Sequence, residues 1–201
     1  MHRKLSRAYK KMGVTHIVGI DEAGRGALAG PVSVGAVKMS VEYYPTWLQG
    51  IQDSKKLSPK KREEWLQKLE QDSNIQSAYA LIDNKHIDTK GIVSAVKVGI
   101  ARVLKKVSAD PACCVIVLDG GIKAGSEYTR QETIIKGDEK VACIALASIT
   151  AKVHRDAYMV ELDAVYPEYQ FARHKGYGTK LHKKAIRKHG ISNQHRITFC
   201  H

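Results

Sequence analysis

Apolar residues along this chain gather either into short continuous runs or at helical spacing, and the switches between the two mark the elements. Residues 16–20 (HIVGI) form a short β-branched run closed by Asp21-Glu22, and residues 32–39 form a second apolar run beyond the glycine-rich stretch AGRGALAGP. That pattern predicts two strands joined by a tight connection that depends on its glycines. Asp53 to Leu57 (DSKKL) reads as loop, and Ser58-Pro59 ahead of KKREEWLQKLEQ predicts a helix with Ser58 as cap and Pro59 in its first position. Residues 77–82 predict a third strand. From Ile87 (IDTKGIVSAVKVGIARVLKKV) apolar residues fall at helical spacing with a break near Gly91, leading into 113–118, a buried-type strand that ends on Asp119. Residues 133–135 predict a short strand ending near Lys136-Gly137-Asp138, residues 140–164 a long, mostly apolar helix, and residues 179–188 a further helix in a basic tail.

Strands interleaved with helices predict an α/β layer architecture, and the tight first connection predicts that part of the sheet is antiparallel. With 201 residues and neither an internal repeat nor a low-complexity linker, the expectation is one catalytic domain over 1–201. Within it, a basic N-terminal segment covers 1–14 and a basic C-terminal segment covers about 165–201.

Charge changes the picture most. A formal net charge of +13 favours a polyanionic partner, nucleic acid first among them. From Arg173 onward there are eight Lys or Arg residues and no Asp or Glu, a distribution suited to following a phosphate backbone. No apolar run approaches the roughly 20 residues needed to span a bilayer, and residues 1–14 lack the apolar stretch of a signal peptide. The expectation is a cytoplasmic protein with no membrane partner, a monomer in its simplest form. Cys113, Cys114, Cys143 and Cys200 form no C-x-x-C pair, so reduced thiols are expected and a zinc site is not.

Acidic residues end three of the apolar runs: Asp21-Glu22, Asp119 and Asp138. Groups at strand ends can converge in one crevice, where carboxylates repel one another unless cations neutralise them, and hard oxygen ligands suit Mg²⁺ or Mn²⁺. Taken alone, Asp138 reads more readily as a helix cap or a surface charge than as part of a site. As a set in so basic a chain, the four point to chemistry on phosphate esters: two ions about 3.5–4 Å apart could activate a water and stabilise a leaving oxygen with no side-chain nucleophile. Consistent with that, the chain has no G-x-S-x-G elbow. The glycine stretch has the spacing G-x-G-x-x-x-G and is followed by strand, so it is neither a dinucleotide fingerprint nor a P-loop. Its glycines let the backbone come close to a substrate, which suits testing a sugar for its 2′-hydroxyl. A catalytically silent nucleic-acid binder that uses the basic tail alone, or another metal nuclease, is also compatible with these features.

The blocks GIDEAGRGALAGPV, DSKKLS, VLDG, KGD, ASITAKVHRD and HKGYGTKLH, with a terminal HRITF, together resemble the ribonuclease HII family. They run from Gly19 to Phe199, nearly the whole chain. The resemblance implies a ribonuclease H-like fold, a central mixed β-sheet flanked by helices, with a metal site of Asp21, Glu22, Asp119 and Asp138 holding Mg²⁺ or Mn²⁺. It implies that the Gly24-Arg25-Gly26 backbone senses the 2′-hydroxyl and that Tyr177 packs against the sugar 3′ of a ribonucleotide. Ser54, Lys55, Ser148, Lys152 and Arg196 match positions that contact phosphate or support the site in the family, and Asp156 matches a supporting partner. The implied substrates are RNA-DNA hybrids and duplex DNA with embedded ribonucleotides. Metal ligation by His174, His182, His189 or His195 is not implied, and histidines in so basic a tail are expected to touch phosphate or water. The chain departs from the family pattern at Thr89-Lys90-Gly91-Ile92 and at the Cys113-Cys114 pair. Only a short basic segment precedes the first strand, which favours the HII type over the related HIII type.

Overall fold

The structure, a computed structural model, describes residues 8–51 and 57–200. Five strands, β1 (His16–Ala23), β2 (Val32–Ser40), β3 (Ile75–Ile82), β4 (Cys114–Asp119) and β5 (Gln131–Ile134), form one sheet in the order β3-β2-β1-β4-β5. β1, β2 and β3 are joined antiparallel, whereas β4 lies parallel to β1 and β5 parallel to β4. The tight β1–β2 connection holds those two strands antiparallel, and the long crossover through two helices from β3 brings β4 in parallel to β1.

Alternation along the central strands assigns each residue to a face. Ile17, Val115 and Val117 join the core beneath α5 (Ala142–Val165), while Val18, Ile20, Ile116 and Leu118 join the core beneath α3 (Ile92–Lys106). With helices on both faces, β1 and β4 are buried throughout their middles, which is why they read as continuous apolar runs rather than alternating ones.

The local signals act as their chemistry directs. In α1 (Pro59–Gln71) the Ser58 hydroxyl accepts from the Lys61 amide at 3.3 Å, and in α2 (Asn84–Lys90) the Asp83 carboxylate accepts from His86 N at 2.8 Å. The chain breaks between α2 and α3 at Gly91. The expectation around Asp138 needs correction. β5 stops at Ile134, Lys136 takes a left-handed conformation (φ 54°), and Asp138 lies in a single helical turn, α4 (Gly137–Lys140), ahead of the long helix. Asp138 thus reaches its place from a helix start, not from a strand end.

Past α5 the chain forms α6 (Phe171–His174) and α7 (Lys180–His189) and returns to the β1–β2 connection, meeting it through bridges Ala27–Tyr177 and Ala29–His195. α5 lies so close to the sheet that a Cβ on Gly35 would stand 2.2 Å from the Ala147 carbonyl oxygen. Gly35→Ala is expected to lower stability by about 2–3 kcal/mol, the usual cost of overpacking. A urea titration should show a lower midpoint at unchanged m; an unchanged midpoint would mean that α5 can move away freely.

Candidate active site

β1 and β4 run side by side with Ile20 opposite Leu118, so the next residue on each strand is a carboxylate, Asp21 and Asp119. The turn through Lys136 swings α4 toward them, and the Gly137 amide fastens it by donating to Asp119 Oδ1 at 2.9 Å. One carboxylate oxygen from each of Asp21, Asp119 and Asp138 then lies within 4.8 Å of the others. Asp21 is 4% exposed and Asp138 1%. Glu22, next along the strand, points differently, as alternation requires: its Oε1 accepts from Arg25 Nη1 at 3.2 Å.

Gathering carboxylates in a buried crevice is unfavourable, and Asp21 registers it. Burial pushes its pKa up to about 7, and the nearby charges of Glu22 and Asp119 push the same way; hydrogen bonds from Ser148 and from the Glu22 amide (2.7 Å) only partly oppose them. An all-oxygen donor set under this strain fits a hard divalent cation, which would relieve the repulsion directly.

Beside the carboxylates opens a cleft of about 410 Å³, lined by Glu22, Ala23, Gly24, Arg25, Gly26, Arg62, Ser148, Lys152 and Tyr177. Its glycine wall is held from behind by two wholly buried arginines. Arg155 donates from Nε to Pro31 O (2.8 Å), from Nη1 to Lys175 O (2.9 Å) and from Nη2 to Ala29 O (3.2 Å). Arg196 donates from Nε to Gly30 O (3.0 Å) and from Nη1 to Arg25 O (2.8 Å). Gly24 has φ +90° and backs directly onto Arg155, whose Nε would stand 2.0 Å from a Cβ there. Arg25 and Gly26 are exposed.

Several expected site residues therefore meet here and others do not. Ser148, Lys152 and Tyr177 share the cleft, with the Lys152 ammonium 2.6 Å from Asp156 and 6.0 Å from the Tyr177 ring centre. Arg196, expected among the substrate-binding residues, braces the Arg25 carbonyl instead, because its guanidinium is fully buried and turned to backbone oxygens. His174, His182 and His195 are corrected likewise. They are buried beside Phe171, where neither phosphate nor bulk water reaches them. Ser54 and Lys55 lie outside the described residues.

Sequence reasoning missed Arg62 and the role of Arg155. Arg62 is 9% exposed and donates to Leu57 O at 2.6 Å from the cleft wall. Its signal was available: Arg62 precedes Trp65, Leu66 and Leu69 at helical spacing, on the buried stripe of α1.

A mixed sheet of this order, with helices on both faces and carboxylates at adjacent strand ends, is the ribonuclease H-like fold. Solved structures agree. The chain matches ribonuclease HII of Archaeoglobus fulgidus, solved in complex with PCNA, with TM-score 0.73 at 24% identity, covering 91% of this chain and 93% of that one. It matches Bst-RNase HIII, solved in complex with Mn²⁺, with TM-score 0.63 at 19% identity, covering 91% of this chain and 65% of that one.

The family model for ribonuclease HII matches residues 18–201. Curated relatives called ribonuclease HII include those of Caldicellulosiruptor bescii, 43% identical over 93% of this chain and 87% of the relative, and Campylobacter concisus, 46% identical over 91% and 92%. The chain belongs to the ribonuclease HII family, and is accordingly a metal-dependent ribonuclease H hydrolase, an endonuclease acting on RNA–DNA substrates.

A divalent ion held by this carboxylate group would compete with a proton for Asp21. Mn²⁺ affinity measured by calorimetry is expected to fall as pH drops from 8 to 6, approaching about tenfold per pH unit below the Asp21 pKa. A carboxyl whose pKa is raised by folding favours the folded state at low pH and loses that contribution as pH rises through about 7. Metal-free Asp21→Asn should therefore melt above the parent protein at pH 8, with the gap closing toward pH 4. An equal gap at both values would show that Asp21 carries no raised pKa.

Proposed function

We propose that the protein hydrolyses the phosphodiester 5′ of a ribonucleotide embedded in duplex DNA or in an RNA-DNA hybrid, leaving 3′-hydroxyl and 5′-phosphate ends, and so removes misincorporated ribonucleotides and RNA primers. Asp21, Glu22, Asp119 and Asp138 hold Mg²⁺ or Mn²⁺ in this reading. The observation that carries it is the carboxylate group standing beside a cleft whose wall is glycine backbone. Bound divalent ions would activate the attacking water and stabilise the departing 3′-oxygen.

The chain's own residues do the selecting. Gly24, Arg25 and Gly26 present backbone to the sugar, and the rigid support from Arg155 and Arg196 makes that backbone a fixed gauge for the 2′-hydroxyl. Tyr177, its ring 5.3 Å from the Arg155 guanidinium carbon, packs against the neighbouring sugar. Ser148 orients Asp21, while Lys152, Arg25 and, outside the described residues, Ser54 and Lys55 meet phosphate. The basic surface of α7 belongs to the same catalytic domain and follows the duplex. No helix among the described residues is long and apolar enough to cross a membrane. The proposal places the enzyme in the cytoplasm, as a monomer.

The test is cleavage of labelled duplex DNA carrying one ribonucleotide, against an all-DNA duplex, with Mg²⁺, Mn²⁺ or EDTA. One metal-dependent cut 5′ of the ribonucleotide is expected, absent from all-DNA and reduced by at least about 10³-fold in Asp119→Asn. Binding without cutting under any metal would favour a silent binder, and equal cutting of both duplexes would remove the 2′-hydroxyl gauge. Gly26→Ala separates gauge from scaffold. Nothing lies within 4 Å of a Cβ at that position, so its melting temperature should match the parent while cleavage falls by about tenfold or more. Undiminished cleavage would place the substrate elsewhere.

A further inference from the structure

Three buried imidazoles lie behind Tyr177, and their hydrogen bonds leave one arrangement of protons. His182 Nδ1 is 3.0 Å from the Tyr177 carbonyl oxygen, which can only accept, so Nδ1 carries the hydrogen and Nε2 of the neutral ring must accept. His195 Nδ1 receives the Ser192 amide at 2.9 Å, so its hydrogen is on Nε2, and that hydrogen points at His182 Nε2 across 3.0 Å. His174 donates from Nε2 to Tyr169 O at 2.8 Å and accepts the Gly176 amide at Nδ1, 3.2 Å away. Each ring meets its partners in one tautomer only. A further proton on any of them would set two N–H groups face to face.

What these bonds grip is the turn that carries the sugar-facing ring. Gly176 N and Tyr177 O are both claimed by the histidines, while Gly176 O accepts from the Leu28 amide at 2.8 Å in the glycine connection. On the other side Gln194 O accepts from Gly30 N at 2.9 Å, one residue before His195. Phe171 and Tyr169 close the cluster off, with ring centres 5.6 Å from His182 and 4.8 Å from His195. The trio does not form a metal site: among the described residues the only metal-ligating group of this kind is the carboxylate one.

We propose that His174, His182 and His195 are positioning residues, a fixed relay of three neutral imidazoles that sets where Tyr177 stands relative to the glycine loop. The relay rests on the reading of Tyr177 given above and adds the parts that hold it. Burial supports the neutral forms, pushing His182 down to about 4 with His174 and His195 adding to the effect. Two parallel connections, the His182 bond to the Tyr177 carbonyl and the His174 bond to the Gly176 amide, make the turn rigid without a charge beside the substrate.

Ring nitrogen shifts of the ¹⁵N-labelled full chain at pH 7 give a readout that needs no activity. The expected result is Nδ1–H on His182 and Nε2–H on His174 and His195, all neutral; a charged ring or a different tautomer overturns the relay. Cleavage kinetics on the single-ribonucleotide duplex then test its use. His182→Leu should lower kcat/KM about tenfold, the effect of a lost buried hydrogen bond, with Mn²⁺ affinity unchanged. His182→Asn keeps a donor at the Nδ1 position and should recover most of the loss. In a Tyr177→Ala background the His182→Leu penalty should vanish, because the residue through which it acts is gone. If Tyr177→Ala alone leaves cleavage intact, the sugar-packing reading fails. If Tyr177→Ala is impaired but the two penalties multiply, the relay fails and that reading stands. Should His182→Leu not fold, the ring shifts and the Asn variant still decide.

Discussion

The Arg155 guanidinium is the interaction on which the active-site half of the molecule depends. It grows from the middle of the long helix α5, is fully buried, and gives its hydrogens to carbonyls of Ala29, Pro31 and Lys175. A buried cation without partners is severely unfavourable, so the glycine connection and the turn before Tyr177 must both deliver their carbonyls to it. Gly24 is bare for the same reason, since any side chain there would occupy the space of the guanidinium. Arg196 repeats the arrangement one step further along the loop, holding Gly30 and Arg25. A segment that would otherwise be a mobile glycine-rich link becomes rigid backbone facing the cleft.

Rigidity on one side of the cleft is matched by electrostatic strain on the other. The carboxylates are brought together by sheet registry and by the α4 turn, and burial first, with the charges of Glu22 and Asp119 behind it, raises the pKa of Asp21. Strain of this sort is supported by the surrounding fold and relieved by a divalent ion. The cleft thus joins a centre that needs cations to a wall that presents neutral backbone, and a phosphodiester with a 2′-hydroxyl beside it satisfies both.

The basic C-terminal stretch has two faces with separate work. Along α7, Lys180, Lys183, Lys184, Arg187 and Lys188 stay exposed, where phosphate can meet them, while His182 turns inward to Tyr177. Charge for binding and neutral polarity for alignment come from one short helix.

Much of this was legible in the sequence by itself. Short apolar runs and helical apolar spacing placed the five strands and the main helices to within a few residues, and the Ser58-Pro59 start and the Gly91 break were read from local chemistry. The motif blocks named the family, and apolar runs ending in acids marked Asp21 and Asp119, because a strand end and its pattern are local properties. The same reading picked Asp138 but put it at a strand end, whereas its position follows from a left-handed turn at Lys136 and the approach of α4 to β4. Only the tertiary structure decided which charged and polar side chains face inward. Arg155 finds its Ala29 partner 126 residues away and Arg196 its Arg25 partner 171 away, so the local sequence does not say which carbonyls each guanidinium meets. The tail histidines were misread for the same physical reason: whether an imidazole meets water or a carbonyl depends on what the rest of the chain packs over it.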